Sequence, residues 1–320
     1  MPTPPRVTMP TMATELHGFA VVDKAAGWTS HDVVAKSRGI LRTRKIGHAG
    51  TLDPDATGVL VLGVGHATRL LKYCTAFGKS YVGEIVFGVE TTTLDAAGDV
   101  TAVHDMRSLA PVAVRDATTQ FVGAIEQIPP MVSAVKIDGK RLHELARQGI
   151  EVERAPRPVR VSRFDIEELA PDAAGNPVYR CEVDCSSGTY IRTLAADLGA
   201  ALGGGAHLRA LRRTAVGSFT LEQAVPLEAL SSECVVSPAF GMRSFGLHAV
   251  DATTAALVAN GRVLPLDVLG VDGEGPWPLC DDTGQLLAVY EQHHGTTAKP
   301  SVVLPASSAP VGRGDNPRAS

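Results

Sequence analysis

The sequence predicts an α+β fold: a mixed, largely antiparallel sheet with flanking helices, followed by a small β-rich domain near the C-terminal end. Three observations predict it. Strand-like segments outnumber helical ones, and several follow one another with no helix between them. Near residue 233 the pattern changes to short strands separated by Gly, Pro and Asp turns. A chain of 320 residues is also long enough for two domains and a cleft.

In chain order, "HGFAVVDK" is a strand, and Thr29 or Ser30 caps a helix through "HDVVAKSRGILRT". The loop "KIGHAGTLDPDATG" comes next, and "VLVLGVG" beyond it is an unbroken apolar run with the pattern of a buried strand. "KSYVGEIVFGVE" alternates, which places Tyr81, Ile85, Phe87 and Val89 on one face. A helical stretch spans about 108–123, after which Pro129 and Pro130 forbid a continuous helix. The segment of about 126–160 therefore reads as an exposed insertion. "RFDIEEL" and "VYRCEVDCS" are strands, and "GTYIRTLAADLGAAL" is a helix with Ile191, Leu194, Ala195 and Leu198 on one side. The expected domains are 15–232 and 233–305, the latter containing the strands "RVLPL", "LLAVYE" and "SVVLP". Residues 1–14 read as a loose leader, and 306–320 have the composition of a disordered tail.

Composition excludes several classes. No apolar run approaches the roughly 20 residues of a membrane helix, and no secretion signal core precedes residue 15, so a cytoplasmic location is expected. The five cysteines are scattered without a Cys-x-x-Cys pair, which speaks against a structural metal or a disulfide framework. Cys181 and Cys185 alternate with polar residues beside Tyr179 and Val183 and read as core packing. The net charge is only −4, but it is unevenly spread. Three stretches, Val33–Leu52, Lys136–Arg163 and "GAHLRALRRTAVG", together carry twelve net positive charges, leaving sixteen net negative for the rest. On a shared face they would suit a phosphate backbone; on separate faces they would be ordinary solvated charge.

Two carboxylates, Asp53 and Asp55, carry the chemical interest of the long loop. "DPDAT" fits the D-x-D-x-T pattern of aspartyl phosphotransferases, in which the first carboxylate attacks phosphorus. In those enzymes the apolar strand precedes the aspartates, whereas here it follows them. A calcium loop fits Asp53, Asp55 and Gly58 but has Val64 where a bidentate Glu is needed. "GVGHAT" offers only part of a dinucleotide-binding turn. Arg192 falls in the first turn of its helix, where the macrodipole disfavours a cation, so a carboxylate partner is expected. An Asp paired with it in a cleft would have a depressed pKa and stay ionised, as a nucleophile must.

The motifs "FAVVDKAAGWTSHDVV", "GHAGTLDPDATGVLVLG", "KSYVGEIVFG", "IPPMVSAVKIDGKRLHELARQGIEVER", "CSSGTYIRTLAADLG" and "GGGAHLRALRRTAVG", in this order, resemble the bacterial tRNA pseudouridine-55 synthase family of TruB type over roughly residues 16–230. The resemblance implies a pseudouridine synthase catalytic fold, an RNA-binding PUA-like appendage, and isomerisation of a uridine in the T stem-loop of tRNA. It implies neither cofactor nor metal, and a monomer. Asp53, in "GTLDP", would be the nucleophile, through either a covalent adduct or a glycal. Tyr81 would lie against the uracil and help remove its C5 proton, and Arg192 would pair with Asp53. Tyr190 and Leu211 would line the uracil pocket, and His48 would fill the space left by a flipped nucleotide. Lys136, Lys140, Arg141, Arg209 and Arg212 would contact the RNA backbone. The sequence departs from the family at Ala25, commonly proline, and at Thr92, commonly an acid, while Asp95 is retained. A catalytically silent RNA chaperone using the same basic surface is the other reading.

Overall fold

The computed structural model describes residues 15–133, 136–137, 140–141, 150 and 152–305. The expected leader and tail, and much of the 126–160 insertion, lie outside these residues.

The first strands are β1 (Gly18–Lys24), β2 (Ile46–Ala49), β3 (Thr57–Val64) and β4 (Lys79–Phe87). Then come β5 (Val89–Thr91), β6 (Val100–Val103), β7 (Gly123–Gln127), β8 (Lys136–Ile137) and β9 (Lys140–Arg141). The N-terminal part closes with β10 (Arg157–Leu169), β11 (Val178–Cys185), β12 (Ala206–Val216), β13 (Phe219–Thr220) and β14 (Val225–Pro226). Among the described residues these build a ten-stranded sheet in the order β14-β1-β3-β12-β4-β11-β10-β7, with β13 on β12 and β2 on β3. Only β1 with β14 and β3 with β12 run parallel. The sheet is thus mixed and largely antiparallel, as the sequence predicts.

β3 explains its own apolar run. Val59 and Val61 face a core with Phe19, Val21 and Phe219, while Leu60, Leu62 and Val64 face another with Val33 and Val34 of the helix Ser30–Ile40. A strand covered on both faces has no position for a polar side chain. Thr29 caps that helix in a reciprocal capping box with Asp32. A third core lies under the helix Ile191–Ala201, where Ile191, Leu194, Ala195 and Leu198 meet Ile85, Phe87, Cys181 and Cys185.

Some expectations shift. The stretch 108–123 holds only one short helix, Pro111–Thr118, and a 3-10 turn, because Gly123 already starts β7. Val89 leaves the β4 face: Gly88 takes φ +90°, and the chain turns into the separate β5–β6 hairpin.

Beyond these lie β15 (His248–Ala249), β16 (Leu264–Pro265), β17 (Trp277–Cys280), β18 (Leu286–Gln292) and β19 (Thr297–Val303), a five-stranded sheet ordered β15-β17-β18-β19-β16. Only Leu264 and Pro265 of "RVLPL" are strand, and the chain then enters a helical turn at Leu266–Leu269. The link to the ten-stranded sheet is apolar: Cys280, Leu286, Val289, Val302 and Leu304 belong to the same core as Phe19. Tyr73 adds a hydrogen bond to Glu291 Oε1 at 2.6 Å, and Arg69 one to the Val303 carbonyl at 2.6 Å. Residues 235–242 pack on the ten-stranded sheet, where Phe19 and Val236 exchange backbone hydrogen bonds. Among the described residues no helix is long and apolar enough to cross a membrane.

Where β3 meets β12, Gly58 takes φ +99°, and a Cβ there would sit 2.1 Å from the Arg213 carbonyl oxygen. Gly58→Ala combines a strained φ with a backbone clash and is expected to cost more than about 1 kcal/mol of stability. Urea unfolding checks this; a change within about 0.5 kcal/mol, the range of an ordinary surface substitution, would contradict it.

Candidate active site

Asp53 stands on the loop between β2 and β3, and the loop backbone is held at successive carbonyls. Arg213 donates to the Gly50 and Thr51 oxygens at 3.0 and 3.4 Å, and the Ser30 hydroxyl to the Leu52 oxygen at 3.2 Å. The Asp53 oxygen accepts the Ala56 amide at 3.2 Å. Pro54 accepts from Lys24 Nζ at 2.7 Å and from the Gly27 amide at 3.0 Å. Lys24 is itself buried and also caps the carbonyls of Ala25 and Trp28. A loop with satisfied backbone acceptors can be rigid without regular secondary structure.

Above the loop lies a cavity of about 430 Å³ lined by Asp53, Lys79, Tyr81, Tyr190, Arg192, Leu211 and Arg213, among others. A second, of about 380 Å³, shares Asp53, Arg192 and Leu211 and adds Asp55, Asp95 and Arg209. Asp53 and Arg192 thus form the wall between two depressions, and both are of a size that accepts a small ligand.

The first-turn placement of Arg192 now has its reason. The side chain is 6% exposed; Nε lies 3.2 Å from Asp53 Oδ2, and Nη1 lies 3.3 Å from Asp95 Oδ2. Nη1 also donates to the Thr93 carbonyl at 3.0 Å, and Nη2 to that of Val132 at 2.8 Å. The helix start is pinned by Gln127, which accepts from the Tyr190 amide at 2.9 Å and donates to its carbonyl at 3.2 Å. Two carboxylates share one guanidinium, so the cluster is anionic overall.

The surroundings of Asp53 overturn the expected depression of its pKa. Burial in the cleft pushes the carboxyl above its ordinary value, Asp95 and Asp55 push the same way, and Arg192 and Lys24 only oppose them. The side chain still keeps 44% of its surface open. Of the two loop carboxylates, Asp53 meets Arg192 while Asp55 is exposed.

The other sequence-predicted residues divide. Tyr81, Tyr190 and Leu211 line the first cavity with Asp53. His48, on β2, packs edge-on against His31 at 5.4 Å and lines neither cavity described above. Arg209 binds Glu84 at 2.8 Å, and Arg212 grips Asp23 through two contacts of 2.7 and 3.0 Å, so both have a protein carboxylate as partner. Lys136, Lys140 and Arg141 enter through the backbone pairing of β8 with β9. Arg213, counted in the sequence as part of a basic stretch, is 1% exposed and faces the cavity. Strand alternation was the signal that could have found it: with Leu211 in the pocket, Arg213 follows on the same face and Arg212 on the other. Lys79, Lys24 and Gln127 carried no comparable sign. Among the described residues, the one three-donor group close enough to hold a metal is Glu15, His17 and His66, and neither loop carboxylate belongs to it.

The chain and its fold are similar to those of known proteins. The description "TruB family pseudouridylate synthase (N terminal domain)" matches residues 38–191, and "tRNA pseudouridylate synthase B C-terminal domain" matches residues 192–239. The chain is 47% identical over 294 residues to tRNA pseudouridine synthase B of Mycolicibacterium paratuberculosis, covering 91% of this chain and 98% of that protein. The Streptomyces coelicolor protein of the same name is also 47% identical over 294 residues, covering 88% and 97%. Among solved structures, a Cbf5-Nop10-Gar1 complex contains a chain that superposes with a TM-score of 0.69 at 25% identity, covering 93% of this chain and 91% of that one. A chain of an H/ACA RNP bound to a substrate RNA containing 2'-deoxyuridine shares the fold, with a TM-score of 0.69 at 22% identity and coverage of 91% and 86%. The chain belongs to the TruB family of pseudouridine synthases.

Carboxyl-carbon NMR of labelled aspartate is expected to give Asp53 a midpoint above the ordinary carboxylate value of about 3.9. Lys24→Met removes a cation that favours the ionised form and is expected to move that midpoint higher still. A midpoint that stays put or falls in the variant would refute the assigned role of Lys24.

Proposed function

We propose that the protein converts uridine to pseudouridine in tRNA, at position 55 of the T loop, with Asp53 as nucleophile. The observation that carries the reading is the contact of Asp53 with the buried Arg192 at the wall of a nucleotide-sized cavity that also holds Tyr81. The tRNA substrate is supported by the name shared by relatives 47% identical over most of the chain.

The rearrangement is an isomerisation, so its atoms and electrons balance without a co-reactant. The N1–C1′ bond breaks and its electron pair leaves with the uracil; a carboxylate oxygen of Asp53 either takes C1′ or, on the glycal route, takes the C2′ proton and returns it to C2′ when C5 joins C1′. The freed ring turns until C5 faces C1′, and formation of the C5–C1′ bond releases the carboxylate. C5 then carries one proton too many; the Tyr81 oxygen takes it, the pair from the C5–H bond restores the 5,6 double bond, and N1 gains a proton. Arg192 keeps Asp53 oriented and offsets its charge against Asp95.

A uridine stacked in an RNA loop does not reach Asp53, so it must be flipped out, which costs a few kcal/mol of unstacking. His48, on β2, is proposed to fill the vacated space. Lys136, Lys140 and Arg141 of the insertion, with Arg209 and Arg212, are proposed to meet the T-arm phosphates; the last two would have to exchange carboxylate partners for phosphate. The C-terminal sheet is read as a PUA-like RNA-binding domain, and the protein as a cytoplasmic monomer.

Tritium release from tRNA labelled at uridine C5 tests the reading. Wild type is expected to release about one tritium per tRNA, because the reaction removes that one hydrogen. Asp53→Asn is expected to release none while its tRNA affinity changes less than about twofold. Activity in Asp53→Asn would remove Asp53 as nucleophile. Tight, salt-sensitive tRNA binding by a wild type that releases no tritium would favour an RNA chaperone.

A further inference from the structure

Arg213 heads the side chains that the fold buries completely, and its use is not that of a surface cation. Buried guanidinium groups are ordinarily paired with carboxylates. The donors of Arg213 go instead to backbone oxygens: Nε to Val59 at 2.8 Å, Nη2 to Gly50 at 3.0 Å and Nη1 to Thr51 at 3.4 Å. These carbonyls bracket Asp53, lying just before and after it in sequence. Gly50, at φ +84°, turns the chain so closely that a Cβ there would stand 3.5 Å from Nη1.

The same side chain faces the other half of the site. Arg213 is the direct cross-strand neighbour of Tyr81 in the β12–β4 ladder, and such neighbours have their Cβ atoms about 5 Å apart. Burial holds the Tyr81 phenol pKa above its ordinary value, and the Arg213 charge opposes that rise. The neighbouring cation Lys79 does not take this place, because Nζ donates to the Thr75 and Phe77 carbonyls, both at 2.7 Å.

We propose that Arg213 is a positioning residue for the isomerisation, tying the Asp53 loop and the Tyr81 strand to a single buried anchor so that nucleophile and proton acceptor keep one fixed spacing. The inference rests on the reading of Tyr81 as the group that takes the C5 proton. In that step the Tyr81 oxygen takes the C5 proton as its own hydroxyl proton is given up toward N1, so the phenol is regenerated while the C5–H electron pair returns to the ring. The Arg213 charge beside Tyr81 favours the oxygen as acceptor during the transfer.

The test compares wild type, Arg213→Lys, Arg213→Met and Tyr81→Phe in single-turnover reactions with tRNA carrying either hydrogen or deuterium at uridine C5, and measures tRNA affinity by filter binding. Arg213→Lys keeps the charge but loses the planar fork. It is expected to slow turnover about 100-fold, the effect of misplacing reacting groups by about an ångström. Affinity is expected to stay within about twofold of wild type, the methionine variant to be slower still, and the C5 isotope effect to rise above wild type because proton removal becomes limiting. If Arg213→Met does not fold, Arg213→Lys gives the same readout. A slowed variant with an unchanged isotope effect would overturn the proposal, since a general loss of structure does not single out C5–H cleavage; so would an undiminished rate. Full activity in Tyr81→Phe would overturn both the reading of Tyr81 and this inference. An inactive Tyr81→Phe beside an unchanged isotope effect in Arg213→Lys would overturn the inference alone.

Discussion

Two carboxylates converge on one buried guanidinium, and the architecture of the site follows from that contact. Arg192 cannot be withdrawn from Asp53 and Asp95 without leaving a desolvated charge, a loss typically of several kcal/mol. The Ile191–Ala201 helix, the β2–β3 loop and the Thr91–Asp95 turn are therefore tied at one point although they come from distant parts of the chain. Burial in the cleft, helped by the second carboxylate, pushes Asp53 above its ordinary pKa although Arg192 opposes the shift. The cluster keeps the carboxylate in place without fully neutralising it, a state suited to an attacking group.

Rigidity around Asp53 comes from a different source. No regular element contains residues 50–56, yet their carbonyls meet Arg213, Ser30, Ala56, Lys24 and Gly27. Lys24 and Arg213 are cations whose hydrogen-bond capacity is spent on backbone oxygens. Burial and the nearby Arg213 bring the Lys24 amine down to about 8, Asp53 and Asp55 opposing the shift. Substituting polar contacts for secondary structure leaves the Asp53 side chain free to project into the cavity. The β3 strand just beyond, covered on both faces, supplies an immobile base.

Much of this was legible in the chain. The unbroken "VLVLGVG" run, the alternation in "KSYVGEIVFG", the Thr29 cap and the first-turn Arg192 each gave a local pattern with one physical reading, and the structure realises all four. The Asp53 pKa direction was not legible, because it depends on burial in a cleft and on Asp95, 42 positions away from Asp53 in sequence, arriving at the same arginine. The burial of Arg213 was masked by its neighbours Arg209 and Arg212, since composition cannot separate a pocket-facing charge from an outward one. Partners for those two, Glu84 and Asp23, were equally invisible.

Periodicity, caps and turn residues act over a few positions, so the sequence by itself determined the mixed sheet, its buried strand, the Ile191–Ala201 helix and the identity of the loop carboxylates. Only the tertiary structure decided which carboxylate meets Arg192, which arginine of "LRALRR" turns inward, and how the Asp53 loop is held without secondary structure. Those outcomes depend on burial and on charges brought together across strands β3, β4 and β12, and electrostatic energies depend on distance in space rather than on separation along the chain.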